Sequence, residues 1–129
     1  MDYIIFKEKS IENLRLSEIA FENSCYNGCA NRAYFAMFQI AVACILKDGF
    51  SENSRLSHEK VISIFTLKYC NERKIFPQLS ESLSDIQLKR NRADYQSQHI
   101  NKIVASRTLK KAKEFVETVI SKIFGEKLC

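Results

Sequence analysis

CANRAYFAMFQIAVACILKD, residues 29–48, decides the fold. Ala30, Ala33, Tyr34, Met37, Phe38, Ala41 and Ile45 recur at three- and four-residue spacing, the period of one helix face. Phe35, Ile40, Val42 and Leu46 fill the other sides. A helix apolar on most sides must be wrapped by others, so this stretch predicts the central helix of an all-α protein. Gly49 follows it as a stop.

Working outward, the spacing predicts four more helices. The first covers about 3–24 and is weakly amphipathic, with "CYNG" breaking the chain after it. The third covers about 57–71, with Ser57 as N-cap and Val61, Ile62, Phe65 and Tyr69 on one face. Pro77 suits the first turn of a fourth, about 77–92, whose apolar positions are Leu79, Leu83, Ile86 and Leu88. The segment 94–105 is polar and less periodic. The last helix, about 106–124, aligns Leu109, Ala112, Val116, Val119, Ile120 and Ile123, and Gly125 ends it.

Composition agrees. The chain has 129 residues, 46% hydrophobic and 27% charged, which suits one globular domain spanning 1–129 and argues against disorder. Three glycines and one proline are few for a turn-rich β fold. No alternating strand pattern, repeat or linker occurs. The result is an up-and-down bundle of about five helices. Its apolar surface exceeds what one small bundle buries, which predicts a homodimer.

The longest apolar run, 40–46, falls well short of a membrane span, and "MDYIIFKEKS" does not read as a secretory signal. Five cysteines, at 25, 29, 44, 70 and 129, form an odd set that predicts free thiols in a reducing cytoplasm. Cys25 and Cys29 stand four apart without a second pair, so they read as small apolar residues and no metal or cofactor is predicted. Net charge is +5, compatible with nucleic acid or an acidic protein. "KKAKEF" (110–115) reads as a solvated face or an RNA-facing strip.

Candidate chemistry concentrates in "RNRADYQSQH", residues 90–99. If a helix continued through it, Arg92 and His99 would lie about 20° apart, two turns along, and Tyr95 and His99 would be i and i+4 neighbours. An arginine that holds a phosphate and a histidine that moves a proton suit RNA cleavage by 2′-hydroxyl attack. A tyrosine beside them can orient or stack on a base. The plain alternative is an exposed Arg90–Asp94 ion pair with a solvated His99. His58, in the first turn of the third helix, reads either as a residue facing solvent or resting over Ile62, or as a phosphate contact.

"YNGCANRAYFAMFQIAVACIL" (26–46) resembles the second helix of small prokaryotic HEPN proteins, whose pattern runs roughly Y-x-x-A-x-x-R-A-Y-Y-A-M-F. "SHEKVISIF", "LKRNRADY" and "LKKAKEFVETV" agree with the family in order, so the resemblance extends over nearly the whole chain. It implies a helical bundle that pairs as a homodimer, with motif residues from both subunits lining a cleft. Many members are metal-independent RNases that use an arginine, four to six residues, then a histidine. They often act as toxins beside a minimal nucleotidyltransferase antitoxin; others are non-catalytic binding modules for RNA, nucleotide or a nucleotidyltransferase.

Two registers fit that motif. Arg90 and Asn91 match the arginine and its polar follower, which puts Tyr95 where the RNases carry histidine. Arg92, six residues and His99 satisfy the spacing directly. The resemblance implies Arg90, Arg92 and His99 as catalytic residues, Asn91, Asp94 and Tyr95 as residues that orient or bind, and His58 as a further contact. Tyr95 is also the position matching a tyrosine to which some nucleotidyltransferase antitoxins attach AMP.

Overall fold

The computed structural model describes residues 2–49, 57–73, 76–79, 82–95 and 99–126, with the side chains of 2, 77, 89, 90 and 92–95 outside that description. The described residues are helical, with no strand among them. Five α-helices follow in order: α1 Asp2–Glu22, α2 Tyr26–Lys47, α3 His58–Ile64, α4 Ser82–Tyr95 and α5 Lys102–Val119. α3 runs on into a π-helical segment, Phe65–Glu72, and α5 into another, Ile120–Phe124.

α2 is the central helix, as its sequence predicts. It packs against α1, α3, α4 and α5. Twelve of its residues are buried, among them Ala33, Tyr34, Met37, Ile40, Ala41 and Ile45. By length and composition α2 alone among the described helices could cross a membrane, and its burial against four neighbours accounts for that composition.

The α1–α2 seam is closed by small polar groups. Ser10 and Ser17 are fully buried, yet neither is left unsatisfied. Ser10 Oγ donates to the Ala36 carbonyl at 2.6 Å, and Ser17 Oγ donates to the Cys29 carbonyl at 2.8 Å. Larger side chains at 10 or 17 would hold these helices apart.

The main core gathers Tyr34, Met37 and Ile40 of α2 with Phe65, Tyr69, Phe76, Leu83, Ile86 and Phe115. A smaller cluster, Cys29, Ala30, Ile100 and Ala105, joins the start of α2 to the start of α5. This second cluster positions the candidate site.

Several boundaries differ from the sequence reading. α2 begins at Tyr26, three residues before the predicted start. Pro77 opens a separate 3-10 turn, Pro77–Leu79, and α4 starts afresh at Ser82. α5 begins at Lys102 because Asn101 caps it: Asn101 Oδ1 accepts the Val104 N–H at 2.8 Å. Ser57 caps α3 as predicted, accepting the Lys60 N–H at 3.2 Å. Gly49 and Gly125 take left-handed conformations (φ 72° and 66°), as the stops they were read to be.

Candidate functional site

The connection between α1 and α2 forms one wall of a cavity. The Cys25 N–H bonds the Ala20 carbonyl at 2.7 Å and the Ser24 N–H bonds the Phe21 carbonyl at 3.0 Å. These two bonds, with Ser24 at φ 60°, make a Schellman turn built on serine instead of glycine. The turn delivers the chain directly into α2, whose N-cap residue Cys25 makes no side-chain capping bond. The first turn of α2 is the positive end of that helix's dipole.

The chain before α5 forms the other wall. Ile100 is buried in the small cluster, while the preceding His99 is exposed. Asn27 bridges the two walls. Its Oδ1 accepts the Ile100 N–H at 2.8 Å, and its Nδ2 lies 2.9 Å from His99 Nδ1. Residues 24–28, His99 and Ile100 line an open cavity of about 380 Å3. An exposed imidazole fixed over a helix N-terminus is suited to an anion with exchangeable protons.

α4 carries the backbone of Arg90, Asn91, Arg92, Asp94 and Tyr95 in its last turns and ends at Tyr95. Asn91 is half-buried; the side chains of Arg90, Arg92, Asp94 and Tyr95 lie outside the described residues. The helical spacing of Arg92 and Tyr95 to His99 does not hold, because His99 lies beyond the helix end in non-helical chain. Any meeting of these groups is set by the α4–α5 connection, not by helix periodicity.

His58 sits elsewhere. Its ring lies 4.4 Å from that of Phe38 and stacks at 5.5 Å on that of Tyr34. The Tyr34 hydroxyl is 2.6 Å from His58 Nδ1. The half-buried residue therefore docks α3 on α2 beside the aromatic side of the main core.

The "KKAKEF" segment presents exposed Lys110, Lys111 and Lys113 and buries Ala112 and Phe115, an arrangement that fits a solvated face and an RNA-facing strip alike. Lys111 bonds Asp85 of α4 at 2.6 Å. Beside that pair lies a groove of about 320 Å3 that includes Arg107 and Thr108. Among the described residues no three of His, Cys, Asp and Glu come together as metal ligands. Cys25 is exposed, whereas Cys29 is buried against Ser17 with its thiol pKa raised by burial.

Asn27 and Ser24 carry no signal in the sequence. Asn27 acts on residues 72 and 73 positions away, and no local pattern marks such a pairing. Ser24 occupies a position at which glycine is the recognisable residue.

The HEPN domain family matches residues 4–124. A protein of Methanocaldococcus jannaschii carrying the name "Putative toxin MJ0605" is 30% identical over 108 residues, 84% of this chain and 78% of that protein. Helix order, the central α2 and these matches agree, and the chain belongs to the HEPN domain family.

Proposed function

We propose that the protein is a HEPN-type toxin of a prokaryotic toxin–antitoxin or defence system, cleaving RNA without a metal ion at a cleft shared by two copies of the chain. Arg90 or Arg92 holds the scissile phosphate, His99 serves proton movement, and Asn91, Asp94 and Tyr95 orient the groups. The 2′-oxygen loses its proton and bonds to phosphorus. The phosphorus–5′-oxygen bond breaks and that oxygen takes up a proton, leaving a 2′,3′-cyclic phosphate and a 5′-hydroxyl.

One observation carries this reading: His99 is exposed, held by Asn27, and set at a cavity over the α2 N-terminus, shortly after the helix bearing both arginines. The similarity to a protein named as a toxin supports the biological setting. Exposed Leu88 on α4 and Ile103 on α5, 52% and 63% accessible, leave apolar surface for a second copy to cover. In that setting the protein acts in the cytoplasm beside a nucleotidyltransferase antitoxin, which attaches AMP to Tyr95 and blocks the cleft with a bulky anion.

The test is digestion of RNA by the purified protein in excess chelator. Wild type should cleave; Arg90→Ala and His99→Ala should lose at least about a hundredfold in rate, the scale of general acid–base catalysis. Intact RNA with wild-type protein refutes the nuclease. Mass spectrometry after co-expression with a neighbouring nucleotidyltransferase tests the Tyr95 adduct.

A second reading is a non-catalytic module that binds RNA, nucleotide or the nucleotidyltransferase. The Arg90–Tyr95 register favours it, since it sets a tyrosine where the family's RNases carry the histidine and leaves the site without that acid–base group. It predicts that Arg90→Ala weakens binding while His99→Ala has little effect.

A further inference from the structure

The two hydrogen bonds of Asn27 fix which way its amide faces. The Ile100 backbone N–H lies 2.8 Å from one amide atom. A backbone N–H only donates, so that atom is the oxygen. The nitrogen, Nδ2, then faces His99 Nδ1 at 2.9 Å. An amide nitrogen also only donates, so His99 Nδ1 must accept through its lone pair. A neutral imidazole has one ring proton; with Nδ1 accepting, it sits on Nε2. Nε2 is on the side of the ring away from Asn27, and the residue is exposed.

The geometry points to Asn27 as a positioning residue that holds neutral His99 as its Nε2–H tautomer, turning a hydrogen-bond donor toward an incoming phosphate oxygen. This rests on the reading of His99 as a site residue. The two tautomers suit different tasks. A bare Nε2 would accept the 2′-hydroxyl proton as a base, whereas Nε2–H cannot; it hydrogen-bonds the anionic oxygens of the phosphate as charge develops there. Asn27 thus directs neutral His99 to the phosphate, so its part in the proton movement proposed above is donation toward the leaving 5′-oxygen, and removal of the 2′-hydroxyl proton falls to another group. The second Asn27 bond makes the assignment firm, because reversing the amide would set nitrogen against the Ile100 N–H and strand a donor.

Long-range 1H–15N correlation spectra of the full chain read the tautomer directly, at a pH high enough to leave the ring neutral, with His99 assigned by its loss in His99→Gln. Wild type should favour Nε2–H by about tenfold or more, the population ratio that one hydrogen bond to a neutral group produces. Asn27→Asp keeps an oxygen for the Ile100 N–H but replaces the donor with an acceptor, so His99 should switch to Nδ1–H. In Asn27→Ala the ratio should fall toward that of free histidine. A 2′-O-methyl RNA oligonucleotide, which cannot be cleaved, should shift the wild-type Nε2 signal.

Equal tautomers or a majority of Nδ1–H in wild type, or no switch in Asn27→Asp, overturns the assignment; an unmoved Nε2 signal with saturating oligonucleotide overturns the donor role. Because the spectrum reads the ring and not turnover, an inactive protein with a dominant Nε2–H signal refutes the nuclease and leaves the tautomer assignment standing.

Discussion

Tyr34 and His58 form a bonded, stacked pair across the α2–α3 contact: hydroxyl to Nδ1 at 2.6 Å, ring centroids 5.5 Å apart. Tyr34 is fully buried, and Phe35 and Phe38 pack on the same imidazole. His58→Ala should therefore act on stability, lowering it by roughly 1–3 kcal/mol through lost packing and the weakened bond. Urea unfolding measures that loss. Cleavage per folded molecule should stay near wild type, and a large fall would show that His58 touches RNA.

Ser24 is a non-glycine residue in left-handed backbone at the end of α1. That conformation costs a residue with a Cβ about 1–2 kcal/mol, partly offset because glycine loses more freedom on folding. Ser24→Gly should stabilise the fold by roughly 0.5–1 kcal/mol, raising the calorimetric Tm by about 2–5 °C. An unchanged or lower Tm would mean that the serine side chain supports the turn more than its backbone strains it.

Alkaline pH should unfold the protein through two buried acids. Burial pushes the Cys44 thiol up to about 12 and the Tyr69 phenol up as well. Tyr69 donates to the Cys44 carbonyl at 3.1 Å and to the Asp48 carboxylate. Both groups hold their protons in the fold more tightly than in the unfolded chain. Stability is therefore fully present below their ordinary values, 9.0 and 10.0, and falls as pH rises beyond them. Each group that titrates only when unfolded contributes a slope of about 1.4 kcal/mol per pH unit. Denaturant titrations from pH 8 to 11.5 should show the decline, and Cys44→Ala should flatten it.

Cysteine accessibility divides the same way. Cys25 is exposed, whereas Cys29, Cys44 and Cys70 are buried. With its pKa pushed up to about 12, Cys44 stays almost wholly a thiol at pH 8. Iodoacetamide on the native protein should mark Cys25 and spare these three until denaturant is added. Peptide mass mapping reads the pattern, and rapid native labelling of Cys44 would contradict the packing of α2.

The architecture was legible because α2 states it: a helix apolar on most sides needs neighbours on most sides. Caps were legible where local chemistry marks them, as at Ser57 and Gly125. The start of α5 was not, because a polar first turn hides the helix that Asn101 begins. Nor was the way Pro77 divides its turn from α4, since proline suits either first turn. For the site, residue types near His99 pointed to phosphate chemistry, but the helical spacing weighed there needed a helix running through His99, which is non-helical. Its bond to Asn27 depends on tertiary docking, which periodicity does not encode.

That docking makes the imidazole a gauge of how the start of α2 meets the approach to α5. His99 is tied to the start of α2 through Asn27 and through Ile100 in a small cluster with Cys29, Ala30 and Ala105. A modest loosening of this corner would misalign the ring while most helical hydrogen bonds persist. On gentle heating, function should fade before ellipticity does, so a sample that looks fully folded by circular dichroism is not thereby a competent one.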